Sequence, residues 1–462
     1  MRTAVLSTPR VVRWVAFVVA VAAVLAAGRV WSQEDQSPGA RAARIDRLIR
    51  DLGDDKFEVR ERADAELRSI GQPAIEKLKA ATSDPAVERK QRAAKILESV
   101  RMAGLNLRHV YTEQRAELNG AVSVANSGDR KFLYVPSWRT HTLNVFRCNS
   151  ESGGLEMIQS LADPERMQGA ICLRLSPDGK LAVSSHIFSK TVILMTRDPE
   201  SGRLAVVDVI RNDPTGGITL EWPTDAAFSP DSRFIYVIDD RGAAVVVLRV
   251  TDDRKLQFVE SFTAIDRCLA GARGIAMHPR GEAIFVVSTS GHLSALTRDA
   301  TTGKLTVRQI VKDEQDGVHG FAGVYGVCAS PDGRFVYTCS GKEGADQAIT
   351  AFRWDEKKLS LLQEFIAEQS DLKDYNIANE IVVTPDGTNL FASGTGSGSL
   401  ACFDRDAESG KLTFRASLRS DATGAGSDQG PTGVACSPDS KFLYLTLENG
   451  NAVTVFERTP KK

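Results

Sequence analysis

The residues with the clearest capacity for chemistry fall into two sets, each recurring at one place in an otherwise apolar pattern. The first stands at the head of short apolar runs: Asn119, Gln168, Asp225, Arg273, Tyr325, Asn379 with Glu380, and Thr432. The second follows the next run in each case: Arg139, His141, His186, Asp239, Asp240, Arg241, His292, Lys342 and Glu343. Guanidinium groups among hydrogen-bonding side chains can hold a carboxylate or a phosphate. Tyr325, Asn379, Asp225, Arg139, His186 and His292 are therefore the ligand-binding candidates, although solvated loop tips give the same pattern. His141, His186, His292 and His319 lie in separate units without ligand-like spacing or an H-E-x-x-H helix, so no metal is expected. No cofactor is expected either: C-x-x-C-H and G-x-x-x-x-G-K-[ST] are both absent, and Gly394-Thr395-Gly396-Ser397-Gly398 reads as a hairpin between strands. Trp138 and Trp222 fall in loops of the same face, where they can stack on a sugar or a peptide or pack over a neighbouring unit.

What must position these residues is a repeat that occupies the chain from residue 120 onward. A Ser-Pro-Asp-Gly-like turn recurs at Ser127, Ser176, Ser229, His278, Ser330, Thr384 and Ser437, roughly every 50 residues, with an apolar run on either side. A period of 40 to 50 residues with four strands per unit marks a β-propeller, here of seven blades. A second turn precedes Leu155, Leu204, Leu256, Leu305, Leu359 and Leu412, giving six outer strands for seven units. The last unit ends at Val453-Thr454-Val455-Phe456 without its fourth strand. Residues 105–112 repeat the outer-strand pattern and are expected to complete that blade, closing the ring of 105–462 and removing its open edges. The fold class is thus mainly β, with a small helical domain ahead of it. In such a ring both polar sets gather at one end of the central channel.

The chain has 462 residues, and 58 Lys or Arg against 59 Asp or Glu give a net charge of −1, no electrostatic reason for a nucleic-acid partner. Arg2, Arg10 and Arg13 precede an apolar run over 14–28, the pattern of an export signal in residues 1–31, with an uncleaved membrane anchor as the rival reading. Residues 32–43 read as a linker. An exported chain would be periplasmic or extracellular. Seven Cys, an odd number without C-x-x-C, read as small buried apolar side chains. Between residues 44 and 101 apolar residues recur at helical spacing, with breaks at Gly53-Asp54-Asp55, Gly71-Gln72-Pro73 and Ser83-Asp84-Pro85, so four short helices are expected. Their pattern, D-K-F-E-V-R-E-R-A-D-A-E-L-R-S-I-G and D-P-A-V-E-R-K-Q-R-A-A-K-I-L, resembles HEAT-type repeats.

Runs such as Ser330-Pro331-Asp332-Gly333-Arg334-Phe335-Val336-Tyr337, with Phe352-Arg353-Trp354-Asp355 and Thr302-Gly303-Lys304-Leu305, resemble the seven-bladed lactonase propellers, which include 6-phosphogluconolactonases and muconate lactonizing enzymes. The resemblance implies a lactonase site at the channel and assigns catalytic places to Arg273 and Glu380, as anion clamp and base. It also shows departures: Gly274 stands where a His is expected, Thr289 for a Glu, and Thr395 and Thr432 for Arg. With two matches against four departures, the leading expectation is an exported scaffold that binds a protein or a small anionic ligand, lactonase-like in fold but degraded in its catalytic pattern. The alternative is a lactone or carboxylic ester hydrolase working through the channel.

Overall fold

The computed structural model describes residues 38–459 except 106, 265–266, 342–346, 371, 373–374 and 420–429. The signal segment, the first half of the linker (32–37), and Lys342 with Glu343 lie outside the described residues. Contacts divide the chain into two units at Leu97/Glu98.

The first unit is helical: α1 (Pro38–Asp51), α2 (Phe57–Ile70), α3 (Ile75–Ala81) and the start of α4 (Val87–Gly104). Helix α1 begins inside the stretch read as a linker, because Pro38 serves as a first helical residue that needs no amide partner. The two Asp breaks work alike. Asp54 accepts the Lys56 amide and Asp84 the Ala86 amide, each at 2.8 Å, which satisfies a donor at the helix start. Leu48, Leu52, Ala63, Leu67, Leu78, Ala93 and Ile96 form the buried stripe that the spacing predicts. No helix among the described residues is long and apolar enough to cross a membrane.

The second unit is seven four-stranded antiparallel sheets. The recurring turn explains itself chemically. Ser176 Oγ donates to Asp178 at 2.6 Å and accepts the Leu181 amide at 2.9 Å, pinning the hairpin that joins the first two strands of a blade. The equivalent bonds occur at Ser127, Ser229, Ser330, Thr384 and Ser437. In the fourth copy His278 stands in: its Nδ1 accepts the Arg280 amide at 3.2 Å.

Apolar packing lies between neighbouring blades. Phe335, Tyr337 and Ile349 of the fifth pack on Ala378, Leu390 and Phe403 of the sixth. Leu133, Val135 and Phe146 of the first pack on Phe442, Tyr444 and Val455 of the seventh, so the ring closes on itself. The seventh sheet is completed by β1 (Leu107–Gln114), which pairs antiparallel with β28 (Ala452–Arg458), as expected but two residues later in the chain than 105–112. All seven Cys are free thiols, five of them buried.

Candidate functional site

The innermost strands of blades two to seven are β6 (Ala170–Leu175), β10 (Pro223–Phe228), β14 (Ala272–Met277), β18 (Val324–Ala329), β22 (Ala378–Val383) and β26 (Pro431–Cys436). Each carries one residue more than its partner strand near its start. The extra residue is Ile171, Thr224, Arg273 or Tyr325 in the first four, and falls within Asn379–Glu380 and Thr432–Gly433 in the last two. A bulge re-aims side chains out of the pleat. It is the local device that lets Arg273, Tyr325, Asn379 and Glu380 leave the sheet pattern.

One rung further in, the ring is too tight for a side chain on every blade. A Cβ on Gly274 would stand 2.6 Å from the Tyr325 carbonyl, on Gly326 2.7 Å from Cys339 Sγ, and on Gly433 2.7 Å from Ser123 Cα. The expected His therefore has no room at Gly274. The same rung carries Asp225 and Glu380 in two of the remaining blades.

These two carboxylates share one guanidinium. Arg174 Nη2 lies 3.0 Å from Asp225 Oδ1 and 3.2 Å from Glu380 Oε1, and its Nη1 donates to Ser123 Oγ at 2.8 Å. The second Glu380 oxygen accepts the Val434 amide at 3.0 Å, and Cys172 Sγ donates to Asp225 at 3.0 Å. Residues of blades one, two, three, six and seven thus meet across the channel. The Glu380 carboxyl is pushed up to about 7, chiefly by burial; the Arg174 charge opposes this and the neighbouring Asp225 charge adds to it. One guanidinium cannot offset two carboxylates. Arg174 itself is held firmly charged: burial works against the cation, and the Asp225 and Glu380 charges with the Asp225 hydrogen bond together outweigh it. Burial drives the Cys172 thiol well above its ordinary range, so it is not a thiolate nucleophile.

Arg273 belongs to a different group. It pairs with Asp240 at 2.9 Å and lies over the Tyr325 ring at 5.8 Å. Asn379 donates to Thr395 Oγ1 at 3.5 Å. Thr432 Oγ1 donates to the Ala121 carbonyl at 2.9 Å and Thr224 Oγ1 to the Ala272 carbonyl at 2.8 Å, so both stitch one blade to the next.

The structure brings Asp225 and Glu380 together, and Arg273 with Tyr325, while the other candidates have partners of their own. Arg139 stacks on Trp138 and pairs with Glu448 at 3.1 Å. His186 is completely buried, hydrogen-bonded through Nε2 to Ser184 at 2.8 Å, and burial holds it neutral with a pKa of about 3; it cannot meet a ligand. His292 bonds Ser290 through Nδ1 at 3.0 Å. Among the described residues no group of three or more His, Cys, Asp or Glu is placed to hold a metal ion. Between Asp225 and Glu380 the Arg174 guanidinium fills the position a cation would take. Arg174 went unread in the sequence, and its only signal was a lone charge in the apolar run Ile171-Cys172-Leu173-Arg174-Leu175.

Comparison with known proteins agrees with this architecture. The chain is 28% identical over 194 residues to a 6-phosphogluconolactonase of Bacillus subtilis, covering 41% of this chain and 52% of that enzyme. It is 26% identical over 197 residues to muconate cycloisomerase 1 of Cutaneotrichosporon cutaneum, covering 39% of this chain and 51% of that enzyme. The chain thus spans about half the length of the enzymes it matches. A crystal structure of a putative 6-phosphogluconolactonase from Bacteroides uniformis superposes with a TM-score of 0.56 at 21% identity, over 69% of this chain and 88% of that one, a likeness of fold. The profile of the seven-bladed β-propeller lactonases matches residues 221–369 and 343–462, together more than half of the sequence. The chain belongs to the lactonase family of seven-bladed β-propellers.

Proposed function

We propose that this protein is an exported binding propeller that does not hydrolyse its ligand, and that its channel mouth takes a small uncharged polyhydroxy compound of the kind a sugar lactone presents, with the helical unit available to a protein partner. The observation that carries the reading is the separation of Arg273 and Glu380 into two groups that are each already ion-paired, one with Asp240 and the other with Arg174. Oxyanion stabilisation needs donors that are free when charge develops, and both guanidinium groups are committed. A phosphate would meet Asp225, Asp240 and Glu380 with the Arg174 and Arg273 guanidinium groups already paired, so the ligand is neutral rather than anionic. The Tyr325 hydroxyl and the Asn379 amide are the groups left to meet its hydroxyls.

Calorimetric titration with the neutral, non-hydrolysable gluconolactam and with 6-phosphogluconate tests this. The lactam should bind at least about tenfold tighter, and Tyr325→Phe and Asn379→Ala should each weaken it by about fivefold to tenfold, a hydrogen bond's worth. Tighter binding of the phosphorylated compound, or indifference to both substitutions, would overturn it. Export is tested by cell fractionation, and retention in the cytoplasmic fraction would remove that part. A second reading, hydrolysis with Glu380 as base, is favoured by one observation: a part-buried carboxyl that titrates near 7 is suited to general-base work at neutral pH.

A further inference from the structure

Three aromatic side chains and a stacked guanidinium form a second feature outside the channel cluster, on the loops of blades one to three. Phe188 is 45% exposed, unusual for a large apolar side chain in this chain. Its ring stands edge-on to Trp138 at 6.2 Å and to Trp222 at 5.8 Å. His141 stands edge-on to Phe188 at 6.2 Å and is fixed there because its Nδ1 accepts the Gly169 amide at 3.0 Å. The rings therefore form one edge-to-face cluster, with Phe188 as its exposed member, rather than independent loop tips. Trp138 is anchored from below by its indole N–H on Glu448 at 2.9 Å.

The charges around the cluster decide what it suits. Arg139 is matched by Glu448, and Lys190 by Glu221. Asp239 is turned inward onto the amides of Glu221 and Trp222. Arg241 differs: its guanidinium carbon lies over the Trp222 ring at 3.9 Å, and among the described residues it makes no ion pair, its charge acting on Glu221 only at longer range. Stacking occupies the guanidinium face and leaves its N–H edge free, the geometry that takes a carboxylate bidentately. An exposed aromatic surface takes the apolar face of a pyranose ring. We infer that the Trp138–Phe188–Trp222 cluster with Arg241 is a binding site for acidic sugars, with a uronate ring stacked on the aromatics and its carboxylate held by Arg241. This site goes beyond the channel reading and does not depend on it.

The test is calorimetric titration of the full chain with trigalacturonate, with neutral maltotriose and with a short oligothymidylate, in wild type and in Phe188→Ala, Arg241→Gln and Arg241→Lys. Wild type should prefer trigalacturonate to maltotriose by about tenfold or more. Arg241→Gln should erase the preference, Arg241→Lys should retain part of it because charge remains without the stacked fork, and Phe188→Ala should weaken both sugars. Phe188 and Arg241 are surface residues, and an unchanged melting curve shows the variants are folded. The inference is overturned if wild type binds neither sugar, if Arg241→Gln keeps the preference, if Phe188→Ala binds as wild type, or if the oligonucleotide binds tighter than the uronate.

Discussion

Glu380 sits where two demands meet. It shares Arg174 with Asp225, and its environment favours the neutral form up to about pH 7. The sign of the consequence follows from linkage. In the unfolded chain the group ionises near 4.5, so between about 4.5 and 7 the folded state holds a proton that the unfolded state has lost, and rising pH costs stability through this residue. Glu380→Gln removes that loss. Its melting temperature relative to wild type should rise between about pH 5 and pH 8, measured by differential scanning fluorimetry, whereas a constant difference would refute the buried titration. At this scale the sequence was legible in part. Asp225 and Glu380 could be placed on the channel from their position in the repeat, and Arg273 and Tyr325 likewise. Arg174 could not, because it stands one residue from the end of its strand, away from the strand start where Asp225 and Glu380 lie, and meets them only through its long side chain. His186 shows the opposite: its loop-edge position in the repeat suggests an accessible ring, and the ring is fully buried.

Among the elements, β1 is the most informative. It belongs to the far end of the chain by sequence yet carries the marks of every other outer strand. Its register against β28 slips between His109 and Tyr111; the outer strands of the first six blades slip at the same place, as between Phe258 and Glu260, which pair with Leu248 and Val247. Tyr111 stands where Gln159 bonds Leu204 in the first blade: its hydroxyl donates to Glu113 at 2.5 Å and lies 3.4 Å from the Leu155 carbonyl of the neighbouring blade. The two-residue offset from 105–112 has a physical cause, since Gly104 ends helix α4, with the Leu105 amide bonded back to Met102, rather than forming a hairpin turn. Removing residues 38–114 should leave the seventh blade with an open edge and abolish a single cooperative unfolding transition, whereas a chain that starts at residue 105 should melt cooperatively. Identical melting of the two would contradict the latch.

A second device alternates around the ring. Tyr134, Tyr236 and Tyr337 each accept from an Arg of the next blade, Arg197, Arg298 and Arg405, at 2.7 to 2.8 Å. Each Tyr donates to a glycine carbonyl, of Gly202, Gly303 and Gly410. Those glycines combine positive φ with a phenyl ring overhead, as Gly303 does at φ +77° with Phe234 2.4 Å from a would-be Cβ. Gly303→Ala should cost about 2–4 kcal/mol, and Gly179→Ala, with similar φ but only the Arg197 tip at 3.6 Å, about 1 kcal/mol, by denaturant unfolding. Equal costs would assign the effect to the backbone alone.

For the whole molecule, the ring is a frame that brings five blades' residues to one point while leaving Arg273 on a separate pair. Fold and family follow from turns and periodicity, which is why both could be read from sequence. Activity depends on how charges are partitioned once the ring closes, and no spacing along the chain encodes that. The most direct measurement is the initial rate of glucono-δ-lactone hydrolysis at neutral pH by the purified full chain against buffer alone. The account predicts the buffer rate for wild type and for Glu380→Ala; a rate above buffer that vanishes in Glu380→Ala would contradict it.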